Sequence, residues 1–162
     1  MVREAVDAVL LRMTDAQERR CGYLHLYGVS QACALIAMKR GEDAELAAVA
    51  GMLHDISSYA TMDTKGHARK STAMAREMLT SMQCFSGDET DAICGAIRNH
   101  SGKGGSFSAF DEVLIDADVM QHWLYNPLFE VVEKEKSRLQ KLRLEFGLDG
   151  PMASESPSIE PV

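Results

Sequence analysis

Ala47-Ala48-Val49-Ala50-Gly51-Met52-Leu53-His54-Asp55 decides how this chain reads. The apolar run has the spacing of a helix whose Leu46, Val49, Ala50, Leu53 and His54 face inward. It ends in an imidazole and a carboxylate side by side. Two such groups at the buried end of an apolar helix are costly unless something partners them. A divalent cation supplies that partner, and mixed nitrogen and oxygen donors suit Mn, Fe, Co, Zn or Mg better than soft ions. Leu114-Ile115-Asp116-Ala117-Asp118-Val119 repeats the oddity, with two acids inside an apolar helical run.

Outward from this stretch the helical period recurs. Residues 2–19 carry Val2, Ala5, Val6, Val9, Leu10 and Met13 at helical spacing. From about Cys21 to Arg40, His25, Val29, Ala32 and Ile36 form one stripe, closed by Gly41, and Asp43 can cap the helix that follows. Ser57-Ser58-Tyr59-Ala60-Thr61 reads as a short loop. Further helices are expected from Gly66-His67 to about Met82 and from the acidic turn at Asp88 and Asp91 to His100. Ser101 to Gly105 breaks the pattern before a helix over roughly Ala109 to Tyr125. The last helix is expected to start at Asn126-Pro127, to carry Leu128, Val131, Leu139, Leu142 and Phe146, and to end at Gly147. Nothing alternates with period two for long. The expectation is an all-α fold, a single compact helical domain of about six to seven helices over residues 1–147, with a flexible tail over 148–162.

The bulk numbers fit that picture and narrow the function. At 162 residues the chain is long enough for one buried core. A formal net charge of −7 gives no general attraction for nucleic acid backbones or anionic membranes, so neither is an expected partner. A small anionic substrate stays open if metal ions and placed cations reverse the local field, and so does a homodimer. Cys21, Cys33, Cys84 and Cys94 are widely spaced without a CxxC pair, which reads as reduced, buried small side chains. The N-terminus lacks the apolar core of a signal peptide and no stretch is long enough for a membrane span, which suggests a cytoplasmic protein.

In order along the chain, His25, then His54-Asp55, then Asp118 resembles the HD-domain phosphohydrolase superfamily, whose signature is a histidine, an HD doublet and a distal aspartate. The local contexts are similar too. Tyr23-Leu24-His25-Leu26-Tyr27-Gly28-Val29 looks like the family's first-histidine helix, Ala50 to Ile56 like its doublet, and Leu114 to Asp118 like its last motif. Gly66-His67-Ala68-Arg69-Lys70-Ser71 and Ala96-Ile97-Arg98-Asn99-His100-Ser101 resemble the added-histidine motifs of relatives that hold two metals. The resemblance covers about residues 20–125. It implies one or two divalent ions held by His25, His54, Asp55, His67, His100 and Asp118, with Asp55 bridging and central to catalysis.

That ligand set implies water activation by a Lewis acid and a phosphohydrolase acting on a nucleotide or related small phosphoester or phosphoanhydride. Lys103, in the glycine-rich loop after His100, is the expected phosphate-binding residue, with Arg69 and Lys70 as further candidates. Asp116 is expected to hold a supporting hydrogen bond or face solvent, and His122 stands outside the ligand set. Twelve residues separate His54 from His67, leaving little room there for a lid. Two other readings compete: a di-iron oxygenase on the same fold, and a ligand-sensing domain without catalysis.

Overall fold

Asp15 and Asp43 set the starts of the helix that carries His25 and of the helix that ends at the His54-Asp55 doublet. In the computed structural model, which describes residues 1–102, 105–125 and 130–148, both side chains cap free backbone N–H groups. Asp15 accepts from Gln17 N and Glu18 N at 2.8 and 3.0 Å, and Asp43 from Glu45 N and Leu46 N at 3.0 and 2.9 Å. The described residues form eight helices and no strand: α1 Val2–Leu10, α2 Ala16–Arg40, α3 Ala44–Leu53, α4 Ile56–Thr61, α5 His67–Met82, α6 Gly87–Asn99, α7 Ala109–Tyr125 and α8 Glu133–Glu145.

The all-helical expectation holds, with three boundary corrections. The period over residues 2–19 is not one helix, because Asp15 caps a new one and α1 stops at Leu10. Residues 57–61 are not a loop but most of α4, where Ser57 is buried and its hydroxyl meets Ser71 Oγ at 2.9 Å. Serine's weak helix preference hides this turn, and a tertiary contact restores it. The last helix starts at Glu133 rather than near Pro127, with Val132 still extended at φ −63°, ψ 141°. Asn126, Pro127 and Leu128, and the expected tail from residue 149 onward, lie outside the described residues. Of the cysteines, Cys33 and Cys94 are buried as expected, Cys21 is half-buried and Cys84 is exposed, all of them free thiols. Among the described residues no helix is long and apolar enough to cross a membrane.

Helix α2 is the spine, with α3 and α7 against it, α6 across α3 and α7, and α5 beside α6 and α4. Leu26, Val29, Ile36, Leu53, Ile56, Ile93, Ile97 and Leu114 are fully or almost fully buried where these helices meet. Gly41 ends α2 in the left-handed region at φ 76°, a backbone that glycine adopts without a Cβ penalty. Gly51 sets how close α3 comes to α2: a Cβ there would lie 2.9 Å from Ser30 Cα and 3.0 Å from Ser30 N. Away from the site, buried Asp116 joins three helices. Its oxygens lie 2.7 Å from both Arg40 and Arg138, and Arg40 also bonds Glu145 at 2.7 Å.

Two variants test these contacts. Gly51→Ala forces backbone apart and should destabilise by about 1–3 kcal/mol, read as a fall in Tm of about 2–4 °C per kcal/mol. An unchanged melt would mean the α2–α3 approach is looser than the geometry implies. Asp116→Ala leaves partly buried guanidinium groups without their carboxylate and should cost about 1–3 kcal/mol while metal content stays constant. Loss of metal without loss of stability would reverse that assignment.

Candidate metal centre

The site lies where helix ends and helix middles converge. His25 comes from the middle of α2, His54 is the C-cap of α3, and Asp55 sits in the kink before α4 at φ −116°, ψ 15°. His67 is the first residue of α5, His100 is the C-cap of α6, and Asp118 is on α7. Helix ends supply carbonyls that have no partner within the helix. His54 Nδ1 lies 2.7 Å from Gly51 O and His100 Nδ1 lies 2.6 Å from Ile97 O. His67 Nδ1 lies 3.0 Å from Thr64 O. A carbonyl only accepts, so each Nδ1 carries the proton and each Nε2 presents a lone pair.

His25 is held by a side chain instead. Its Nδ1 lies 2.9 Å from Gln121 Oε1, and Gln121 Nε2 points at Leu24 O at 3.5 Å, which sets the amide's orientation. Gly28 makes room for that amide, because a Cβ there would lie 2.9 Å from Gln121 Cγ.

The four Nε2 atoms face one another in pairs. His25 and His54 approach to 3.1 Å, and His67 and His100 to 3.1 Å. Asp55 stands between the pairs: Oδ2 is 3.8 Å from both His25 and His54, and Oδ1 is 3.5 Å from both His67 and His100. Asp118 Oδ1 adds a second carboxylate 3.7 Å from His25 and 3.8 Å from His54. Facing lone pairs at such distances repel, and Asp55 Oδ1 is buried without a hydrogen bond. A cation between these atoms removes both penalties, so the residues present fit a metal.

Electrostatics agree with the donor set. Burial, the largest influence, pushes His54 down to about 4, so it stays neutral near physiological pH. Burial alone would raise the Asp55 carboxyl, but His100, His25 and His54 together outweigh it and hold it well below the usual range. Burial would lower His25, yet Asp55, Asp118 and the hydrogen bond to Gln121 together outweigh it and raise the group. The negative potential that attracts a proton to His25 attracts a metal cation as well.

All six residues expected as ligands come together. They form two groupings able to hold an ion, His25-His54-Asp55 and Asp55-His67-His100, with Asp118 beside the first. His122, which the sequence reading leaves outside the ligand set, stands beside these residues. Its Nε2 is 3.4 Å from Asp118 Oδ1, its ring stacks on His25 at 5.5 Å, and with His25 and Asp118 it forms a third grouping able to hold an ion. The spacing of four residues from Asp118 was the available signal. Gln121 and Glu135 were missed, the latter buried with Oε2 3.4 Å from His122 Nδ1. Ser101 Oγ lies 3.0 Å from His67 Nε2 and 3.3 Å from His100 Nε2. Asp116 neither faces solvent nor supports the site, because it is engaged by Arg40 and Arg138. Lys70 is paired with Asp63 at 2.5 Å, Arg69 is exposed, and Lys103 lies outside the described residues.

No curated protein gives a significant match. The fold resembles the crystal structure of a predicted HD superfamily hydrolase from an uncultured Thermotogales bacterium, with a TM-score of 0.61 and 23% identity over 90% of this chain and 88% of that one. The HD domain family profile matches residues 22–128, a span that holds His25, His54-Asp55, His67, His100 and Asp118. With that match over more than half its length, the chain belongs to the HD domain family.

Proposed function

We propose that the chain is a metal-dependent phosphohydrolase, acting on a phosphoester or phosphoanhydride of a nucleotide or related small molecule. The observation that carries this reading is Asp55, whose two oxygens each face a pair of imidazole nitrogens. His25, His54, Asp55 and Asp118 would hold one ion, and Asp55, His67 and His100 a second. A divalent ion so held lowers the pKa of water and offsets charge on phosphoryl oxygens. The name of the similar crystal structure supports hydrolysis as the reaction class.

The chain's own residues supply the order. Backbone carbonyls keep His54, His67 and His100 in one tautomer, and Gln121 does the same for His25. Fully buried His54 closes the floor, while a cavity of about 220 Å³ opens over Asp55, His67, His100 and Asp118 toward α8. A substrate therefore enters from the α8 side. His122, 46% exposed, stands at that entrance beside Asp118.

Three measurements check the proposal. Asp55→Asn should lose both bound metal and turnover of phosphoesters while its helical circular dichroism stays native. Full metal occupancy and rate in that variant would overturn it. The double variant His67→Ala/His100→Ala should fall from two ions per chain to one by elemental analysis; a single ion in both proteins would remove the second site. Gln121→Ala touches no ion, yet freeing the His25 ring should weaken metal affinity by about 10–100-fold. Unchanged affinity would mean that the tautomer needs no such support.

A further inference from the structure

Beside the metal centre lies a second cavity, of about 330 Å³, between the C-terminal half of α7 and the start of α8. Its apolar walls are Val119, Trp123, Val131 and Val132. The opening over the metal centre and this cavity share His122, Lys134 and Glu135, so the two adjoin. A volume near 300 Å³ is at the small end of cavities that bury organic ligands.

We propose that this cavity holds a flat aromatic group of the phosphorylated ligand and that Lys134 binds the phosphate at the junction. The proposal rests on the phosphohydrolase reading for the position of the phosphate. The Lys134 side chain is exposed and makes no hydrogen bond or ion pair among the described residues; Lys65 and Lys141 are unpaired as well, but among the described lysines it is Lys134 that lines both the opening over the metal centre and the apolar cavity. A lysine left unpaired between a metal centre and an apolar cavity is placed to meet an anion reaching from one to the other. Trp123 supplies a large, half-buried ring, and the Arg143 guanidinium lies 5.6 Å from its centroid, which helps to fix its orientation. The valine and tryptophan side of the cavity favours a ring over a hydroxylated chain, because it offers dispersion and stacking, while the acceptors lie on the charged side with Glu130 and Glu135. Glu130 lies at the same cavity and can accept from a ring N–H.

Trp123 is the chain's one tryptophan, so its emission reports on the cavity directly. The zinc-loaded protein is titrated with phenyl phosphate and with glycerol phosphate, following tryptophan emission and, separately, calorimetry. Phenyl phosphate should change the emission saturably and bind at least about tenfold more tightly than glycerol phosphate, the equivalent of about 1.4 kcal/mol. Lys134→Ala, at an exposed and unpaired position, should weaken both ligands by about tenfold or more. Trp123→Leu, compared by calorimetry after its melt and zinc content are checked, should bind the two ligands alike. Equal binding of both by the native protein with unchanged emission overturns the proposal, as does a Lys134→Ala variant with native affinity. If Trp123→Leu does not fold, the native titrations and Lys134→Ala still decide. Phenyl phosphate bound in this way without turnover of any phosphoester keeps the ring site and refutes the hydrolase reading. Turnover with neither ring preference nor emission change does the reverse.

Discussion

The Asp55 carboxylate, held between two pairs of imidazole nitrogens, is the constraint to which the rest of the structure answers. One oxygen faces His25 and His54, the other His67 and His100, and these four rings come from α2, α3, α5 and α6. No short segment can bring them together. The helices must end or cross where they do, and Asp55 must sit in the kink that separates α3 from α4. The kink also explains why α4 matters: Ser57, on its first turn, bonds Ser71 Oγ and His67 O, tying the doublet to the start of α5.

The same end-of-helix logic makes the site chemically uniform. Carbonyls left over at the ends of α3 and α6 take the Nδ1 protons of His54 and His100, so capping and ligand orientation are one interaction. His25, in mid-helix, has no spare carbonyl and needs Gln121, which in turn needs the space left by Gly28. Such a cluster of lone pairs and buried carboxylates destabilises the metal-free fold. Stability is supplied elsewhere, by the core along α2 and by the Arg40, Asp116, Glu145 and Arg138 network at the far side of α7.

Asp116 and Asp118 show the division of labour on one helix. Two residues apart on a helix means about 200° of rotation, so the pair must face opposite ways. One carboxylate meets arginines from α2 and α8, and the other meets histidines from α2, α3 and its own helix. Their neighbours in sequence are the same; their neighbours in space differ completely.

Apolar period three to four, the cap expected at Asp43 and the absence of alternation were enough to establish from sequence an all-helical chain, because those signals are local. The His, His-Asp, Asp order with its two added histidines named the residues that meet through its resemblance to the HD-domain superfamily, while ionisable groups in the apolar runs around His54-Asp55 and Asp118 gave a separate reason to expect partners there. What lay beyond it depended on contacts distant in sequence. Residues 57–61 became helix through Ser71, His122 joined the site through the stacking of α7 on α2, and Lys134 reached its mouth through the docking of α8. An exposed lysine or histidine looks the same in any sequence. Only the tertiary structure decides which buried charge it stands beside, because electrostatic partners are chosen by distance in space and not by spacing along the chain.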